Sequence, residues 1–130
     1  MTIANWCILI ACVLPTATVG LAKISSAKQA RGEGRYNNRQ PREWAASLQG
    51  WQRRANAAQQ NNFEALPLFI AGVLLAQQAH ADQAHIDMLA MTFIAIRVAY
   101  VACYLANLAT LRTLVWVAGV AACVALFAIS

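Results

Sequence analysis

The chain is 130 residues long, 60% of them apolar and 12% charged, with a formal net charge of +5. An ordinary soluble domain is about 45–50% apolar and about 25% charged, and so short a chain leaves too much surface exposed to hide the excess. These figures exclude a water-soluble globule, a disordered chain and a small disulfide-stapled domain, and they point to a polytopic membrane protein.

Met1 to Ala22 carries no charge. Residues 3–22 suffice to cross about 30 Å of hydrocarbon as a helix. No basic segment precedes this run and the positives follow it, so it reads as a retained first span with its N-terminus outside. Pro15 is expected to kink it. Residues 23–41 form a polar loop, with turn chemistry at Arg31-Gly32-Glu33-Gly34-Arg35 and Asn37-Asn38. Eight of the ten Lys and Arg lie between Lys23 and Arg54. The positive-inside rule places them in the cytoplasm. One basic loop between apolar segments is no nucleic-acid surface, and no nucleic-acid partner is expected.

Pro41-Arg42-Glu43 has the chemistry of a helix start. From Arg42 to Gln78 only Gly50 and Pro67 interrupt. Residues 65–76 are wholly apolar but too few to span, so the second span is placed at 59–78. It must carry Gln59-Gln60-Asn61-Asn62-Phe63-Glu64 into the membrane, where such groups cannot face lipid. Arg54, Asn61 and Glu64 lie close to one stripe of that helix. They either bridge helices or form a site, and an intramembrane ionisable group favours the site.

His80 to Asp87 reads as an outside turn without Lys or Arg. A third span at 88–105 is interrupted only by Arg97, which shares a face with Tyr100 and Tyr104. Glu64 and Arg97 are expected to neutralise one another, within one chain or across a subunit boundary. Ala106–Thr110 is a tight connection to a fourth span at 111–129, which opens on Arg112-Thr113 with Trp116 one turn later. Arg112 either sets topology or points into the same cleft, with the Thr113 hydroxyl beside it. The four tryptophans read as interfacial anchors or packing groups. Cys7, Cys12, Cys103 and Cys123 fall in apolar runs without metal-ligand spacing, so they are expected to be free thiols and no metal site is expected. Residues 1–130 thus form one domain: an all-α integral membrane bundle of four transmembrane helices, multi-pass, with both termini outside.

Three motifs resemble the signature of the MAPEG family, the membrane-associated proteins in eicosanoid and glutathione metabolism. Asn61, Glu64, Pro67 and Phe69 match its Asn-x-x-Glu-x-x-Pro-x-Phe run, Arg97, Tyr100, Tyr104 and Leu105 its third-span marker, and Arg112-Thr113 the step that opens its last span. The likeness is strongest to the bacterial branch, which implies a bacterial inner membrane. It implies a homotrimer with glutathione between neighbouring subunits on the cytoplasmic side, and transferase or peroxidase chemistry on hydrophobic electrophiles that arrive from the lipid bilayer. By position, Asn61 and Glu64 would hold the peptide, Arg97, Tyr100 and Tyr104 would line the site with Arg54, and Arg112 with Thr113 would stabilise the thiolate. Lys23 matches a basic position that binds a carboxylate in some members. Ala57, Gln59, Gln60 and Trp116 depart from residues found in animal members.

The physical logic agrees. A thiol of pKa about 8.5 is mostly protonated at neutral pH, and a nearby cation and hydroxyl donor favour the nucleophilic thiolate. Two other classes suit the same residues: a small proton-coupled transporter built on Glu64, and a non-catalytic member that binds lipid or a partner.

Overall fold

The computed structural model describes residues 1–130 and contains five helices: α1 (Ile3–Ser26), α2 (Pro41–Ser47), α3 (Gly50–Gln78), α4 (Gln83–Leu105) and α5 (Ala109–Ala128). Of these, α1, α4 and α5 are long and apolar enough to cross a membrane, which makes the protein a multi-pass integral membrane protein. The fourth long helix, α3, has 29 residues, and its first half holds the polar run.

Several expected boundaries shift. The helix expected at 59–78 begins at Gly50, because the whole Arg53–Glu64 stretch is continuous with the apolar half. It does not reach back to Arg42: Leu48 and Gln49 are extended and Gly50 takes φ +57, so a separate seven-residue α2 precedes it. Pro41 occupies the first turn of α2 and Glu43 lies beside it, where a missing N–H costs nothing and an acid meets the helix dipole. The turn expected at His80–Asp87 shortens to Ala79–Asp82, since Asp82 caps α4 by accepting from the Ala84 N–H at 2.8 Å. The helix α1 continues through Pro15 to Ser26.

The helices α3 and α4 form the central pair; α1 packs against both, and so does α5. The larger core cluster joins all four through small, aliphatic and aromatic side chains, among them Ala4, Ala11, Phe69, Phe93, Ala122 and Leu126. Phe69 and Phe93 stack with centroids 4.0 Å apart. Gly72 brings α3 onto α5: a Cβ there would stand 3.1 Å from Leu126 Cβ and 3.3 Å from Phe127 Cε2. Such close backbone approach is how membrane helices gain packing without a hydrophobic driving force.

Polar groups tie both ends of the bundle. At the N-terminal end, Asp87 accepts from the Ala4 N–H at 2.8 Å and from Gln83 Nε2 at 2.8 Å, while Gln77 donates to Thr2 Oγ1 and Asn5 Oδ1. At the loop end, a second core of Val19, Ala22, Trp44, Leu48 and Ala55 seats α2 against α1 and α3. There Arg54 donates through Nε and Nη2 to the Leu105 carbonyl, at 3.2 and 3.0 Å. That carbonyl ends α4 and has no helical partner, so the guanidinium serves as its cap.

Candidate functional site

The face of α3 that turns inward carries Ala55, Ala58, Asn62, Phe69, Gly72, Val73 and Ala76. Asn62 is the one polar member, and it meets Arg97 of α4. Its Oδ1 accepts from Arg97 Nε at 2.8 Å and also from Nη2, while Nη2 reaches Asn61 Oδ1 at 3.0 Å. Both Arg97 and Asn62 are 3% exposed. A guanidinium only donates, so the carboxamide oxygen of Asn62 must face it. Its Nδ2 is thereby turned away and left buried without an acceptor.

From Arg97 a chain of contacts runs to the loop end. The guanidinium lies 4.3 Å from the centroid of Tyr100. Tyr100 packs edge-on against Tyr104 at 5.5 Å, and Arg112 of α5 lies over Tyr104 at 4.3 Å. Cation–π pairing at each step lets two arginines approach the same aromatic pair. The 3–4 spacing of 97, 100 and 104 on α4 stacks these groups over about 10 Å of helix rise. Arg112 donates no side-chain hydrogen bond and has no carboxylate within 4.0 Å, so its fork is free; Thr113 Oγ1 returns its proton to the Ala109 carbonyl at 3.2 Å.

Glu64 stands apart. It is exposed on the surface of α3, accepts only from Asn61 Nδ2 at 3.4 Å, and has no cation within 4.0 Å. The expected ion pair with Arg97 does not form within the chain, because Asn62 holds that arginine. Glu64 and Arg97 nevertheless line one cavity of about 250 Å³ between α3, α4 and α5, together with Asn61, Phe93, Trp116 and Cys123. The cavity has a polar side at Asn61, Glu64 and Arg97 and an apolar remainder, which suits a ligand with a charged part and a greasy part.

A model of the MAPEG family matches residues 3–130. The chain belongs to the MAPEG family. No curated protein and no solved structure matches it. In this MAPEG chain the third-span and last-span motifs converge, since Arg97, Tyr100, Tyr104 and Arg112 are one contact chain, and Asn61 joins it through Arg97.

The remaining expected residues lie elsewhere within the chain. Lys23 donates to the Tyr36 hydroxyl at 3.3 Å, at the end of α1. Arg54 is committed to Leu105. Asn62 was not singled out as a site residue from the sequence. Its signal is its register: it is the polar interruption in the 55, 58, 62, 69, 72, 76 series that marks the buried side of α3.

Proposed function

We propose that this MAPEG protein is a membrane-bound glutathione-dependent transferase or peroxidase acting on hydrophobic electrophiles, with four spans assembled as a homotrimer. The observation that carries it is Glu64: an unpaired carboxylate, midway along a 29-residue helix, beside a cavity that also holds Arg97. Water is scarce at that depth, and a lone carboxylate facing lipid costs several kcal/mol. A neighbouring subunit covering it, and the ammonium of a thiol peptide neutralising it, remove that cost together. This reading makes α3 the fourth span and places its Gln59–Glu64 run against a partner rather than against lipid.

The parts then have distinct tasks. Glu64 meets the ammonium, with Asn61 beside it. Arg97, held by Asn62 and Tyr100, supplies positive potential to a carboxylate, and Lys23 and Arg54 add to it at the loop end. Arg112, with its free fork over Tyr104, favours the thiolate, and the Thr113 hydroxyl joins it by turning its proton from the Ala109 carbonyl to the sulfur. The thiolate sulfur bonds to the electrophilic carbon, whose leaving group departs with the bonding pair. Phe93, Trp116 and the lipid-facing surface supply an apolar approach for that electrophile.

An unpaired Glu64 would also suit a proton-coupled transporter. Such a protein needs a polar path across its whole thickness. Beyond Arg97 and Asn62 the bundle is closed by the Phe69–Phe93 stack, Val73, Ala76 and Ile86, all buried and apolar. That apolar layer separates the polar contacts of the loop half from the Gln77–Asp87 cluster at the far end.

Calorimetric titration of the purified protein with glutathione tests the proposal. E64Q should bind glutathione about 10- to 100-fold more weakly while melting as wild type does, because Gln keeps the shape and removes only the charge. Unchanged binding with a protein that melts early would make Glu64 a purely structural group. Mass measurement in native detergent should give three copies; a monomer alone would sink the assembly.

A further inference from the structure

The fourteen residues between α1 and α2 are a built loop. Gly32 and Gly34 turn it with φ +87 and +99, conformations that side chains resist. Tyr36 fastens it: its N–H donates to Ser26 Oγ at 3.0 Å, its hydroxyl donates to Asn38 Oδ1 at 3.2 Å, and its ring packs edge-on against Trp44 at 4.9 Å. The buried Trp44 in turn donates through Nε1 to the Gly34 carbonyl at 2.9 Å. The loop is thus pinned at two points to the core beneath α2.

Held this way, it frames an open hollow of about 510 Å³ lined by Arg31, Arg35, Arg39, Tyr36, Asn37 and Asn38, with Gly32. The three guanidiniums donate no hydrogen bond within the chain. No carboxylate lies within 4.0 Å of any of them; the single ion pair in the molecule joins His85 to Asp82. Glu33 follows Arg31 by two positions but does not line the cavity. Three like charges around one concave space, each with five forked donors and no counter-ion, are arranged for a multiply oxygenated anion.

We propose that this cavity binds the phosphate headgroup of an anionic membrane lipid. The site of the loop selects that source of phosphate. A helix long and apolar enough to cross a membrane ends at Ser26, its last turns present Leu21 and Ile24 to the outside, and the loop begins at the next residue. A loop so placed stands at headgroup level, where basic residues are attracted to anionic lipid. The proposal is independent of the glutathione reading.

The test uses the full chain in a neutral detergent, titrated with dihexanoyl phosphatidylglycerol, and reads tryptophan emission, because Trp44 touches the loop. Wild type should show a saturable change. The triple variant R31Q/R35Q/R39Q should bind roughly a hundredfold more weakly, and R35Q alone about fivefold more weakly. The triple K28Q/R42Q/R53Q removes the same charge outside the cavity and should cost less than about threefold. All six side chains are exposed, so both triples should melt as wild type does. Equal losses in the two triples would mean diffuse surface charge and overturn the site. Equally tight binding of dihexanoyl phosphatidylcholine, saturation by inorganic phosphate at lower concentration than the lipid, or no saturable change would also overturn it.

Discussion

Replacing Asn62 with leucine should cost about 3 kcal/mol or more of stability, the largest loss expected from any single polar substitution in the bundle. Leucine has the same branched skeleton with bulkier methyl ends, so no cavity is left. What is lost is the acceptor that takes Arg97 Nε and Nη2, and Arg97 is 3% exposed. Asn61 and the Tyr100 ring remain as partners but do not face Nε. Asn62→Asp should behave in the opposite sense. A carboxylate offers Arg97 the same oxygen with a full charge, and it carries no counterpart of the orphaned Nδ2. The double variant N62L/R97L should recover part of the N62L loss, because it removes the stranded cation as well. Unfolding of purified variants in a denaturing detergent series, followed by circular dichroism, gives all three numbers. An N62L protein as stable as wild type would mean that Arg97 finds another acceptor, and the account of the central contact would be wrong.

Arg112→Ala should lower turnover about a hundredfold while changing the half-saturating glutathione concentration much less, the size expected when one preorganised donor to a developing anion is removed. The guanidinium is not tied to any carboxylate, so little of the fold depends on it. Its effect on the bound thiol has a definite sign. A cation favours the thiolate, so without it the bound thiol's pKa rises toward about 8.5. The loss is then greatest at neutral pH and shrinks as pH rises through that value. Arg112→Lys keeps a point charge and should hold an intermediate profile. Tyr104→Phe keeps the ring face beneath the guanidinium and should hold most of the rate. The decisive measurement is the pH–rate profile of each variant with an aromatic electrophile. Superimposable profiles, with loss only in protein yield, would leave Arg112 a topology-setting residue.

Much of this was readable from residue order. The apolar runs and the two short connections pointed to four long antiparallel helices, and Pro41 with Glu43 marked a helix start, although of the short α2 rather than of one stretch running to Gln78. The spacing of Arg97, Tyr100 and Tyr104 foretold their shared face. Two things were not readable. One was where α3 begins: Gly50 could be taken as a tolerated helical glycine, and only its positive φ shows that the chain breaks there. The other was the partner of Arg97. Neighbours on a helix lie about 100° apart, so Asn62 and Glu64 differ by about 200° and face nearly opposite ways. Grouping Glu64 with Asn61 on one stripe is sound, but it says nothing of which neighbour points at α4. That choice is made by the packing of Ala55, Ala58 and Phe69, whose small and flat side chains let the Asn62 side of α3 approach.

The contact at Gly72 has a consequence for selectivity. It holds α3 and α5 at backbone-touching distance, whereas eight residues back along α3, at Glu64, the same two helices part around the cavity that Trp116 helps to line. The pair is pinched at one end like a clothes-peg, and Gly72 is its spring. The bore of the cleft is therefore governed by the thickness of a spacer roughly 12 Å from the charged groups. A methyl group added at that position would pry the jaws apart while leaving Asn61, Glu64 and Arg97 chemically untouched. Under the proposed function, the gauge of the molecules admitted and the reaction performed on them would be inherited at separate positions of the chain, and either could drift without the other.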